Sequence, residues 1–128
     1  MSATTGSTST IWLELADTTN IERVRFRRPR GDDADHDAMA AVITVACRED
    51  GVPWAPTGAH RREELEGAEG IDLDRDVVVT EVDGTVIAES GVQRRPRGGV
   101  PVYDTWGSVH PAHRRRGLGR ALDAAGPQ

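Results

Sequence analysis

The sequence predicts an α+β fold, sandwich-like, with a mixed but mostly antiparallel sheet flanked by helices. Three observations carry this. Residues 33–49 place Met39, Val42, Ile43, Ala46 and Cys47 at helical spacing on one face. Residues 77–82 and 85–92 are β-branched runs joined by Asp83-Gly84, the two-residue signal of a type I′ hairpin. Residues 100–109, with Tyr103 and Trp106, return as a third strand after the loop Arg94-Arg95-Pro96-Arg97-Gly98-Gly99.

Taken in order, the chain opens with seven Ser or Thr among its first ten residues. Such a composition buries too little apolar surface to order itself, so 1–20 is expected to be a flexible leader and 21–128 the domain. Within that leader, 11–15 has the pattern of a short accessory strand. Residues 24–28 (VRFRR) alternate apolar with basic, as a half-buried strand does, and 29–33 form a turn. Asp32 or Asp33 suits the N-cap of the helix over 33–49, Asp35 and Asp37 complement its dipole, and Gly51 closes it. Cys47, on the apolar face, reads as a buried structural thiol. Residues 52–56, with Trp54 between two prolines, are a loop. Residues 58–66 form a polar second helix whose one large apolar anchor is Leu65, and it is expected to be mobile. After the third strand, Pro111 and a glycine-containing turn lead into a short last helix.

The chain has 128 residues, 37% hydrophobic and 29% charged, enough for one modest core. It contains no apolar run of about 18 residues and no signal-peptide pattern, so a cytoplasmic protein with no membrane association is expected. One cysteine excludes an internal disulfide and a cysteine zinc cage. All sixteen basic residues are arginine. With no lysine there is no Walker A lysine, no Schiff base and no catalytic lysine. The net charge is -5, yet residues 94–120 hold seven arginines against Asp104 alone, +6 locally and -11 elsewhere. A confined basic cluster in an acidic protein suits a small polyanion better than a long duplex.

That cluster includes the segment that carries chemistry: Val109-His110-Pro111-Ala112-His113-Arg114-Arg115-Arg116-Gly117-Leu118-Gly119-Arg120-Ala121-Leu122. Gly117 and Gly119 let backbone amides approach a ligand with no Cβ in the way, and a helix starting there points unpaired N–H groups at an anion. Flanking arginines add charge-assisted hydrogen bonds. A strand, an Arg-Gly-x-Gly turn and a helix N-terminus describe a pyrophosphate cradle, against the plainer alternative of a solvated arginine turn. A dinucleotide fingerprint fails, because its third glycine falls on Leu122. His110 and His113 form an HxxH pair, but two ligands in an arginine-rich loop are too few for a metal, and none is expected.

Arg114-Arg115-Arg116-Gly117-Leu118-Gly119 resembles the Arg/Gln-x-x-Gly-x-Gly/Ala acyl-CoA loop of the GNAT superfamily of acyl-CoA N-acyltransferases. The preceding Val-x-Pro, the following Ala121-Leu122 and the order of elements over 24–125 are similar to that family's N-terminal part. The resemblance implies an N-acetyltransferase that moves an acetyl group from the cosubstrate acetyl-CoA to a primary amine of a small molecule or peptide. It implies that backbone groups near Val109 pair with the pantetheine arm and that amides of Arg115, Arg116, Gly117, Leu118, Gly119 and Arg120 hold the pyrophosphate, with Arg114 at the first motif position.

Family domains continue past this helix with a fifth strand, a helix and usually two more strands, so the C-terminal part of the fold is expected to be missing here. Direct transfer needs a base for the substrate ammonium and an acid for the CoA thiolate. Asp104, Glu89 and Glu81 are the alternative bases; each has the alternative reading of a solvated strand carboxylate. Tyr103, the one tyrosine, does not match the family's acid. Trp54 and Trp106 either line an acceptor pocket or serve packing. Two other readings remain open: a truncated half-domain that at most binds CoA, alone, as a homodimer or with a complementing chain, and an arginine-dependent nucleic-acid or partner-binding module. The net charge, and the lack of aromatic residues among Arg94–Arg97, weigh against the last.

Overall fold

The structure, a computed structural model, describes residues 10–14 and 23–114. Its five strands lie side by side in sequence order, each antiparallel to its neighbour: β1 (Trp12–Leu13), β2 (Val24–Arg27), β3 (Val77–Val82), β4 (Thr85–Arg94) and β5 (Tyr103–Val109). Three helices accompany them: α1 (Asp33–Glu49), α2 (Gly58–Glu66) and the single turn α3 (Leu73–Asp76). The sheet therefore begins at Trp12, inside the stretch expected as leader. Residues 1–9, 15–22 and 115–128, including the expected last helix, lie outside the described residues.

The hairpin turn obeys its sequence. Asp83 and Gly84 both have positive φ, 50° and 80°, as a type I′ turn demands. Between Thr80 and Glu81 the register slips by one residue, a bulge that places Ile87 as the extra residue on β4. β4 runs two residues further than the pattern suggests, because Arg94 still pairs with Tyr103 and its guanidinium meets Asp76 at 2.7 Å. That contact explains α3, which sequence periodicity misses in so short a segment. Asp72 caps it, and the buried Asp76 carboxylate accepts from the Asp72 amide as well as from Arg94.

Helix α1 spans the expected residues. The Asp32 side chain accepts from the Asp35 amide at 2.8 Å, and Gly51, at φ 74°, takes the left-handed conformation that ends the helix. Met39, Val42, Ile43 and Ala46 are buried as expected, whereas Cys47 is only half-buried. Met39 and Leu65 of α2 pack on Val77 and Val79 of β3, with Trp106 of β5 against them. Phe26, Val78, Ile87 and Ala88 form the second core cluster. α2 is held by more than Leu65: Arg61 is also buried, and Gly58 sits so close to Asp37 that a Cβ there would collide with its carboxylate. Among the described residues, no helix is long and apolar enough to cross a membrane.

The alternation in 24–28 predicts that Arg25 and Arg27 face solvent together, and the structure corrects half of this. Arg25 is exposed, its guanidinium 3.5 Å from the Trp12 ring centroid, but Arg27 is 1% exposed. The first turn of α1 covers it. Asp35 takes both terminal nitrogens, at 2.6 and 3.1 Å, and Glu81 takes Nε at 2.6 Å. Strand periodicity reports which face a residue occupies, not whether a helix covers that face.

On β4, Gly91 lies beneath the Trp106 indole, with no room for a Cβ. Gly91→Ala is expected to displace the ring and cost about 1–3 kcal/mol, the usual penalty of overpacking. A urea midpoint equal to wild type would contradict this placement of Trp106.

Candidate functional site

The site grows from the exit of β5. His110 N–H donates to Ile87 O at 2.8 Å and Arg95 N–H to Val102 O at 2.7 Å, so the even-numbered residues between them turn their backbone groups toward β4. By the alternation of an antiparallel ladder, Tyr103, Thr105, Gly107 and Val109 turn theirs outward. β5 is the edge strand of the described sheet, and Tyr103, Thr105 and Gly107 are exposed. This edge offers an alternating row of donors and acceptors to an extended ligand carrying amides.

At the end of the strand the chain turns sharply. Pro111–His113 form one turn of 3₁₀-helix, capped by His110, whose Nδ1 accepts from the Ala112 amide at 3.1 Å. His110 is thus committed to the turn, with the His113 ring 6.0 Å away edge-on. Among the described residues, no group of three or more His, Cys, Asp or Glu could hold a metal ion.

Arg114 locks the corner. It donates to both Asp50 oxygens at 2.7 and 3.1 Å, and its Nε donates to the Val109 carbonyl at 3.1 Å. Nη2 also reaches the Ala46 carbonyl at the C-terminal end of α1, where a cation complements the helix dipole. The hydrogen bonds to Arg114 hold the Asp50 carboxyl below its ordinary range, and the same bonds raise the Arg114 pKa. The guanidinium at the first motif position therefore fixes strand exit to helix end. Arg115, Arg116, Gly117, Leu118, Gly119 and Arg120 lie outside the described residues.

The three candidate carboxylates do not converge. Asp104 is exposed on β5, held by Arg95 Nε at 3.1 Å. Glu89, 1% exposed on β4, accepts from Arg61 and from the Trp106 indole N–H through one oxygen, both at 2.8 Å. Glu81, on β3, is buried in the Arg27 network. Glu81 and Glu89 are thus not solvated strand carboxylates, because helices cover their face and each is met by arginine. Trp106 serves packing and orients Glu89, while Trp54 stays 42% exposed in its loop.

Sequence reasoning missed the Asp50–Arg114 tie and the Arg61–Glu89–Trp106 chain. A usable signal existed for the second: a glutamate inside an otherwise uncharged run, Val86 to Val92, marks a strand position that needs a buried partner. The arginine-rich stretch is also less bare than its count suggests, since Arg94, Arg95 and Arg114 each meet an aspartate.

No family model and no curated protein matches the chain. Among solved structures it is similar to yncA of Salmonella typhimurium, described as a candidate acetyltransferase and solved with its cofactor acetyl-CoA, at 21% identity and a TM-score of 0.58. The match covers 81% of this chain and 64% of that one, so this chain spans less than two thirds of that protein. The likeness bears out the mixed α+β fold, with its antiparallel sheet and flanking helices, as acetyltransferase-like in architecture.

Proposed function

We propose that the chain carries the acetyl-CoA-binding portion of an N-acetyltransferase, with a primary amine of a small molecule or peptide as acceptor. One observation supports this reading above others: the outer edge of β5 is exposed and runs at Val109, through a corner clamped by Arg114, straight into the Arg-Gly-x-Gly segment. Outward N–H and C=O groups at Thr105 and Gly107, with the Val109 N–H, fit the amides of a pantetheine arm, the Val109 carbonyl being taken by Arg114. Amides of Arg115 to Arg120 would take the pyrophosphate at the following helix start. Bound acetyl-CoA would supply a thioester, an acyl donor activated toward amines. A cytoplasmic location goes with this reading.

For the base, Asp104 is the candidate best placed to meet a substrate proton. Among the described residues it is exposed and tied to Arg95, whereas Glu89 is closed off by its donors and Glu81 is buried in the Arg27 network. Glu89 then acts as a positioning residue, holding the Trp106 indole over Gly91 of β4. Pairing of Arg94, Arg95 and Arg114 with Asp76, Asp104 and Asp50 weighs against a nucleic-acid surface.

Acetyl-CoA-dependent release of free thiol across a panel of primary amines tests the proposal. Saturable release is expected, with Asp104→Asn lowering kcat by about 10²-fold while leaving acetyl-CoA affinity unchanged. Amine-independent release alone would overturn the assignment of transfer. Equal kcat in Asp104→Asn would remove Asp104 from the role of base.

A further inference from the structure

A cleft of about 500 Å³ opens between α1 and the end of the β3–β4 hairpin. That volume lies in the range of small-molecule sites. One stripe of α1, Ala34, Ala38, Ala41 and Val45, gives it an apolar wall, with Val86 of β4 added. Its polar end is the Arg27 network together with Arg30 and Asp32.

The pairing of that end is specific. Arg27 is spent on Asp35 and Glu81. Glu81 is 6% exposed, and its Oε2 takes both cations, Arg27 at 2.6 Å and Arg30 at 3.7 Å. Among the described residues no donor meets its Oε1. Asp32 uses Oδ1 for the α1 cap, and among the described residues no donor meets its second oxygen. Asp32, Asp35 and Glu81 against Arg27 and Arg30 leave one unit of negative charge in the cleft, whose remaining lining is apolar apart from Thr85 and His110.

We propose that this cleft binds a small organic monocation, an ammonium group on an apolar body. The nitrogen donates to Glu81 Oε1 and Asp32, and the body lies along Ala34, Ala38, Ala41 and Val45. A neutral donor such as a hydroxyl would leave the net negative charge uncompensated, a ligand without a donor would bury Glu81 Oε1 unpaired, and an anion would meet the negative charge. The cleft shares His110 with the exit of β5, but the carboxylates that would hold the ammonium, Glu81 and Asp32, lie on other elements, and the site does not depend on the acyl-transfer reading.

The test is an amide NMR titration of the full chain with n-hexylammonium, hexanoate and hexanol. Saturable shifts at the Ala38 and Ala41 amides are expected with hexylammonium, and responses weaker by about tenfold or more with the other two. Glu81→Gln keeps the shape and should weaken hexylammonium by about tenfold. Because that change also loosens the hold on Arg27, Ala38→Phe serves as a second variant: it fills the cleft, leaves the ion network intact and should abolish the response. Failure to saturate, equal affinity for hexanoate, or unchanged binding in Ala38→Phe would overturn the site. With acetyl-CoA added, thiol release driven by hexylammonium identifies the bound amine as acceptor, and binding without release identifies it as an effector. The site holds in both cases, since binding is read without acetyl-CoA.

Discussion

Arg27→Ala is expected to destabilise the protein by about 3–5 kcal/mol, the cost of leaving buried charge without its partner. Removing this guanidinium strands two carboxylates, Asp35 at 4% exposure and Glu81 at 6%, beneath the first turn of α1. The loss should appear as a lower urea midpoint with an unchanged slope, since the surface exposed on unfolding is the same. A loss below about 1 kcal/mol, the range of surface ion pairs, would mean that the network is hydrated and α1 does not seal it.

The same network sets an acid limit on stability. Burial pushes the Asp35 carboxyl up, but hydrogen bonds from Arg27 and the Arg30 amide, with the charges of both arginines, outweigh it and hold the group below its ordinary 3.8. A carboxyl with a depressed folded pKa contributes stability that is complete above the unfolded value and lost as pH falls through the folded one. Asp76 behaves alike through Arg94. The urea midpoint should therefore be level down to about pH 5 and drop below about pH 4, with a shallower drop in Asp35→Asn.

The second large effect is on binding. Gly117→Glu and Gly119→Glu are each expected to abolish acetyl-CoA binding, a loss of about 10²-fold or more, because a carboxylate would stand where the pyrophosphate must sit and a side chain would keep the backbone away. Unchanged affinity in both variants would remove the Arg-Gly-x-Gly segment from the site.

The elements that sequence makes legible are those with a local code. Helix α1 is written in a cap, a 3.6-residue apolar period and a closing glycine; the β3–β4 hairpin is written in Asp83-Gly84. What sequence hides is which polar residues the tertiary fold covers. Arg27 and Arg25 look alike in VRFRR, and only the arrival of α1 over the sheet separates them. Glu89, Arg61 and Trp106 come from three elements with no common spacing, so their meeting is set by packing. The same holds for Arg114, whose motif position was legible but whose partner Asp50 is 64 residues away.

The most direct test of the central claim is calorimetric titration of the chain with acetyl-CoA, with dephospho-CoA and ATP as controls. Saturable micromolar binding that prefers acetyl-CoA is the predicted result, and it would join the β5 edge and the glycine turn into one site. A folded chain that takes up no acetyl-CoA, or binds ATP equally well, would contradict the account and leave the fold without the proposed activity.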